Sequence, residues 1–175
     1  MQVLILSDTH GHIDPRVLAL AADCELVVHA GDIVGAEVLE ALASRCARVV
    51  AVRGNNDLPG KWPAGQAARL ARLPEVAEVA LPGGRLAVVH GHRVWDLRDR
   101  HGRLRRQFPG ARAVVYGHSH RQVCDLAADP WVLNPGAAGR DRTFGGPACL
   151  VLRAGPGAWR VTPHRFPPAA RRRAG

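Results

Sequence analysis

Five apolar runs in this sequence each end in a short polar cluster able to bind metal. The clusters are Asp8-Thr9-His10, Gly31-Asp32, Gly54-Asn55-Asn56-Asp57, His90-Gly91-His92 and Gly117-His118-Ser119-His120. In parallel α/β sheets the carboxyl ends of the strands converge on one edge, where ligands bind. Asp and His one residue apart, or two histidines one apart, both reach into one cleft from a loop leaving a strand. The glycines beside them let the chain turn sharply. Any one cluster alone is weak, since a strand-end Asp often caps a helix. All five in order, each after an apolar run, are specific. The seven N and O donors they offer exceed what one tetrahedral zinc needs and suit two divalent ions.

The intervening segments fit that frame. Gln2–Leu6, Glu25–His29 and Arg48–Val52 read as strands, separated by helices over Arg16–Ala22 and Ala36–Arg45. Asp14-Pro15 supplies an N-cap and a first-turn proline. This alternation implies parallel pairing through right-handed crossovers. A helix over Gln66–Leu73 is followed by a hairpin, Val76–Leu81 and Arg85–Val89, turning on Pro82-Gly83-Gly84. Trp95–Phe108 is a basic helix candidate stopped by Pro109-Gly110. Ala113–Tyr116, Gln122–Leu126, Val132–Leu133, Ala148–Arg153 and Trp159–Pro163 make the C-terminal half strand-rich. The expectation is one α/β domain over 1–166, with strands enough for two sheets, and a basic tail over 167–175.

Composition narrows the class. A chain of 175 residues, 47% hydrophobic and 22% charged, has ordinary globular make-up rather than that of a disordered protein. No apolar stretch approaches the ~20 residues a bilayer needs, and no basic leader precedes the first run, so no membrane role is expected. Cys24, Cys46, Cys124 and Cys149 are scattered without a C-x-x-C pair. They read as reduced thiols of a cytoplasmic protein. The net charge of +9 comes from 24 basic and 15 acidic residues, and Lys61 is the one lysine. Such a chain attracts polyanions weakly and without sequence preference. The sequence sets no oligomeric state.

The series D-x-H, GD, GNxD, HG and GHxH over residues 3–140 resembles the calcineurin-like metallophosphoesterase superfamily. The short chain and Leu133-Asn134-Pro135-Gly136 look most like its small bacterial phosphodiesterases of the YfcE type. That resemblance implies a four-layer α/β/β/α sandwich with two mixed β-sheets and a binuclear site at the strand ends. It implies one ion on Asp8, His10, Asp32 and His120, and a second on Asp32, Asn55, His90 and His118. Asp32 and a hydroxide would bridge them, and the hydroxide would attack a small phosphate-ester substrate. Manganese is the first expectation for the two divalent metal ions, with iron, cobalt, nickel and zinc also matching the donors.

One position departs from the family pattern. Asn56 stands where a histidine, or in the YfcE type often a cysteine, is common. A histidine there protonates the leaving oxygen, with Asp57 placed to orient it. An amide donates a hydrogen bond but delivers no proton near neutral pH, which leaves poor alkoxide leaving groups unassisted. His12 is a further candidate substrate contact. His92 is placed to orient His90, and His29 reads as buried support. His101 and His164 read as solvated. Arg93, Arg140 and Arg142 follow site loops and are able to hold a phosphate. Two rival readings stand beside the hydrolase: a non-catalytic scaffold on the same fold, like the retromer subunit, and a nuclease favoured by the basic charge.

Overall fold

The computed structural model describes residues 1–94 and 98–168. Strand β1 (Gln2–Leu6) is apolar on both faces because both are covered. Val3 and Ile5 pack between the two sheets, while Leu4 and Leu6 pack under helices. β1 pairs in parallel with β2 (Leu26–His29), which pairs in parallel with β3 (Val49–Ala51). The crossovers carry α1 (Pro15–Leu20) and α2 (Ala36–Ala43). Asp14 caps α1 by accepting from Arg16 N at 2.9 Å, with Pro15 at the first helical position. A 3-10 turn, Ala21–Asp23, completes that helix.

After α3 (Ala67–Ala71) the chain enters the second sheet. Its strands are β4 (Val76–Leu81), β5 (Gly84–Val89), β6 (Ala113–Val115), β7 (Gln122–Asp125) and β8 (Trp131–Pro135), in the order β4-β5-β6-β8-β7. Helix α4 (Arg100–Gln107) crosses over between β5 and β6. The chain then returns to the first sheet as β9 (Ala148–Ala154) and β10 (Trp159–Arg165), giving the order β10-β9-β1-β2-β3. Both sheets are mixed.

The layers follow from three apolar clusters. Val28, Val88, Val115, Leu133, Leu150 and Leu152 fill the space between the sheets. Val17, Val38, Leu42 and Leu70 of α1–α3 cover the outer face of the first sheet. Leu104 of α4 and Phe108 cover the outer face of the second. The expected four-layer α/β/β/α sandwich with two mixed sheets is present. Among the described residues, no helix is long and apolar enough to cross a membrane.

Several boundaries shift by a few residues, and two of the shifts have a clear physical cause. α4 begins at Arg100 with Asp99 at its N-cap, and Trp95–Leu97 lie outside the described residues. β8 runs on to Asn134 and Pro135 because β7 pairs with both. Cross-strand pairing thus recruits an asparagine and a proline that propensity alone leaves out.

Candidate metal centre

β1, β2 and β3 of one sheet and β5 and β6 of the other all deliver their carboxyl ends to one crevice. The backbone turns there abruptly. Asp8, His10, Asp32, His118 and His120 all hold left-handed φ values, between 47° and 66°. This region is uncommon for residues other than glycine, although Asp and His tolerate it better than most. Its concentration at one crevice is the pattern of strain retained at a functional site. Bonds from the β1 loop to the β2 loop hold the turns: Asp8 N to Gly31 O at 3.0 Å and His10 N to Asp32 O at 3.0 Å. Two glycines make room. A Cβ at Gly54 would overlap the Asp32 carboxylate, and one at Gly117 would overlap Ser7 Oγ.

Two groups of ligand atoms converge, Asp8–His10–His120 and Asp8–Asp32–His90, with all atoms of each group within 4.8 Å of one another. Asp8 is common to both, whereas the family pattern gave the shared position to Asp32. Asp32 also reaches both sides, 3.8 Å from His10 Nε2 and 3.4 Å from His90 Nε2. The second ring nitrogens fix the tautomers. His90 Nδ1 lies 2.8 Å from Ala30 O, and His120 Nδ1 lies 3.2 Å from Asp141 O. A carbonyl only accepts, so both Nδ1 atoms carry hydrogen and both Nε2 atoms face the crevice, as in metal-ligating histidines generally. There, His90 Nε2 meets Asn55 Oδ1 at 3.1 Å, and His120 Nε2 meets His10 Nε2 at 3.3 Å and Asp8 Oδ1 at 3.4 Å. The His90 and His120 Nε2 atoms thus share the crevice with the Asp8 and Asp32 carboxylates and the Asn55 amide oxygen. The donor set fits divalent metal.

Electrostatics agree. Burial pushes the Asp8 carboxyl up to about 7, so this carboxylate stays ionised most readily beside a cation. Burial would also raise Asp32, but hydrogen bonds from His90 and Asn56 and the His90 charge outweigh it and hold the group well below the usual carboxylate range. Burial lowers His10 and His118, and lowers His120 to about 4, so all three present neutral imidazoles. Burial would lower His90 as well, yet its bond to Asp32 and the charges of Asp8 and Asp32 raise it.

Of the expected site residues, Asp8, His10, Asp32, Asn55, His90 and His120 are brought together. The His118 ring stands at their edge, 5.3 Å from the His90 ring between centroids, and its backbone N–H donates to Asp8 at 3.1 Å. Asn56 is turned onto Asp32, donating from N to Oδ1 at 2.8 Å and from Nδ2 to Oδ2 at 2.6 Å. Asp57 is committed to a different task from the orienting one expected of it. Its Oδ1 accepts from Ile33 N, Val34 N and Trp62 Nε1, each at 2.9 Å, and its Oδ2 accepts from Gly54 N at 2.7 Å. It ties the β3 loop to the β2 loop. His12 enters neither group, and the charges acting on it are Arg140 and Asp14. Among the three candidate arginines, Arg93 is closed on Glu75 at 2.7 Å, whereas Arg142 Nη2 reaches His120 Nε2 at 3.3 Å. His101 corrects the solvated reading, since it bridges Asp125 Oδ2 at 2.7 Å and Tyr116 OH at 3.1 Å.

Sequence reasoning passed over two buried supports. Asn134 donates to Gly117 O at 2.9 Å and Ser119 Oγ at 3.1 Å, holding the β6 loop. Thr9 ties the β1 loop to the β2 strand end through His29. His29 Nδ1 accepts from Gly31 N at 3.2 Å, so its Nε2 carries the hydrogen and donates to Thr9 Oγ1 at 3.0 Å. Burial pushes His29 down to about 3. A histidine held neutral when folded stabilises fully above its unfolded value near 6.5. It loses that contribution as pH falls from 6.5 towards 3, at up to about 1.4 kcal/mol per pH unit. Thermal unfolding of metal-free protein from pH 7 to 4 should therefore show a shallower decline for His29→Gln than for the native chain. Parallel declines would refute the assignment.

A crevice of Asp, His and Asn at the strand ends of two mixed sheets defines an α/β sandwich with a candidate metal centre. The family model described as the calcineurin-like phosphoesterase superfamily domain matches residues 1–155, and the chain belongs to that superfamily. Two relatives come from Methanocaldococcus jannaschii. One, named a probable metallophosphoesterase, is 29% identical over 143 residues, 78% of this chain and 68% of the relative. The other, named a phosphodiesterase, is 26% identical over 152 residues, 78% of this chain and 83% of the relative. Among solved structures, Entamoeba histolytica Vps29 complexed with zinc has a TM-score of 0.74 at 19% identity, covering 95% of this chain and 99% of its own. That likeness is one of fold.

Proposed function

We propose that this protein is a phosphodiesterase that uses two divalent ions, manganese first among them. Asp8, His10, Asp32 and His120 would hold one, and Asp32, Asn55, His90 and His118 the other. The observation that carries this reading is the convergence of the His10, His90 and His120 Nε2 atoms with the Asp8 and Asp32 carboxylates in one crevice. When bound, such ions activate water and brace the negative charge developing on phosphorus oxygens. The chain's own residues prepare the crevice. Asn56 holds both oxygens of Asp32 in place, and burial keeps His10, His118 and His120 neutral. Two dications set against Asp8 and Asp32 leave a net positive crevice, which suits an anionic ester. Arg142 is the guanidinium best placed to meet a phosphate oxygen.

The test is to strip the protein with chelator and restore it with manganese, iron, cobalt, nickel or zinc against small phosphomonoesters and phosphodiesters. Activity should vanish on stripping and return best with manganese, with two ions per chain and diesters preferred. Turnover that survives stripping, or a single ion at full activity, would overturn the reading. The Vps29 fold likeness keeps a scaffold as the second reading. Full metal loading with no ester hydrolysed would favour it. Four free cysteines, three of them buried, support a cytoplasmic setting. The +9 charge supports weak nucleic-acid adhesion at low ionic strength, and selective binding in physiological salt would promote a nuclease.

A further inference from the structure

We propose that Lys61 is the leaving-group contact of this site, giving the departing ester oxygen a hydrogen bond and then a proton. The inference rests on the phosphoesterase reading above. Its starting point is that Asn56 is turned onto Asp32 and Lys61. The backbone N–H and Nδ2 of Asn56 both go to Asp32, and its Oδ1 accepts from Lys61 Nζ. The proton-bearing group at this position is therefore the ammonium of the chain's one lysine. An ammonium carries three hydrogens, and one satisfies Asn56.

The root of Lys61 is braced while its side chain is exposed. Lys61 N donates to Leu58 O at 2.9 Å, and Trp62 N donates to the same oxygen at 3.1 Å. Trp62 is buried, and its indole N–H is fixed on Asp57 at 2.9 Å. The carboxylate that joins the β3 and β2 loops thus also anchors the turn carrying Lys61. The other cations and histidines around the crevice are placed differently. Arg53 and Arg93 are closed on Glu75. Arg142 lies against His120, and a guanidinium does not give up a proton. His92 packs on another flank, its ring 5.5 Å from that of His90 and 6.3 Å from that of His118.

The step balances with water alone. As the bond from phosphorus to the leaving oxygen breaks, its electron pair stays on that oxygen, which takes a proton from Nζ. The neutral amine regains a proton from solvent, matching the one released by the attacking water. A phenolate leaves readily without this help, whereas an alkoxide does not.

The experiment compares native, Lys61→Met, Lys61→Arg and His92→Gln proteins, manganese-loaded and with metal content measured, on bis(4-nitrophenyl) phosphate and diethyl phosphate. Lys61→Met should lower alkyl turnover about 10²-fold and aryl turnover only about threefold, within the usual range for general acid catalysis. Lys61→Arg should keep the alkyl KM and lose alkyl kcat as Lys61→Met does. Adding Asn56→His to Lys61→Met should restore alkyl turnover. Equal losses on both esters, no loss on either, or a native enzyme inert towards the alkyl ester alone would overturn the role of Lys61. So would the same aryl–alkyl split appearing in His92→Gln instead. A native protein that hydrolyses neither ester would overturn the phosphoesterase reading, and the Lys61 role with it.

Discussion

Asp32→Asn should strip the crevice of metal and lower ester turnover by about three decades, the scale of several kcal/mol of lost charge stabilisation. Asp32 is 1% exposed and stands within 3.4 Å of His90 Nε2 and 3.8 Å of His10 Nε2, between the two groups of donors. Asn56 N and Nδ2 hold one oxygen each of this carboxylate. An amide in its place removes the charge and turns an N–H₂ towards one of those donors. Metal analysis and turnover on an aryl diester check both halves. Native metal content and native turnover in the purified variant would show that these clusters do not hold the ions.

Asp57→Ala should lower the melting temperature of the metal-free protein by about 10 °C. The carboxylate is 3% exposed and accepts four N–H groups, from Ile33, Val34, Gly54 and Trp62. A buried donor left unpaired costs about 1–3 kcal/mol. Water reaching some of them would leave a loss of about 3–5 kcal/mol, at about 2–4 °C per kcal/mol for a chain of this size. Asp57→Asn should do less harm, because it keeps the Oδ1 acceptor for three donors and opposes only Gly54 N. Thermal unfolding of both variants measures the difference. An unchanged melting temperature with lost turnover would place Asp57 in the chemistry rather than in the loop.

The site was legible in the sequence because its chemistry is local. D-x-H and GHxH place two donors on one strand-end loop, and a strand-to-helix alternation sends every such loop to one edge. Asp8, His10, Asp32, Asn55, His90 and His120, which the family resemblance marked as ligands, meet at one crevice, and the layered fold was legible in the same way. The charge partners were not. Asp57 looked like a neighbour of residue 56, but its Oδ1 also takes the N–H groups of Ile33 and Val34, more than twenty positions away. His101 sits in an arginine-rich stretch that reads as solvated, yet it joins Asp125 to Tyr116 across two strands. Composition describes a segment's average, whereas a hydrogen bond depends on which atoms are adjacent in space.

By itself, the sequence determined the elements, the edge on which ligands converge and the identity of the donor atoms. These depend on periodicity, turn residues and side-chain chemistry within a few positions. Only the tertiary structure decided which ring nitrogens face the crevice, because the Ala30 and Asp141 carbonyls that take the other nitrogens lie on other loops. It also decided that Asn56 grips Asp32 and that Lys61 reaches Asn56. Those contacts are set by how the β2 and β3 loops close over one another through Asp57. The directions of hydrogen bonds and the burial that shifts each charge arise only once two sheets pack together.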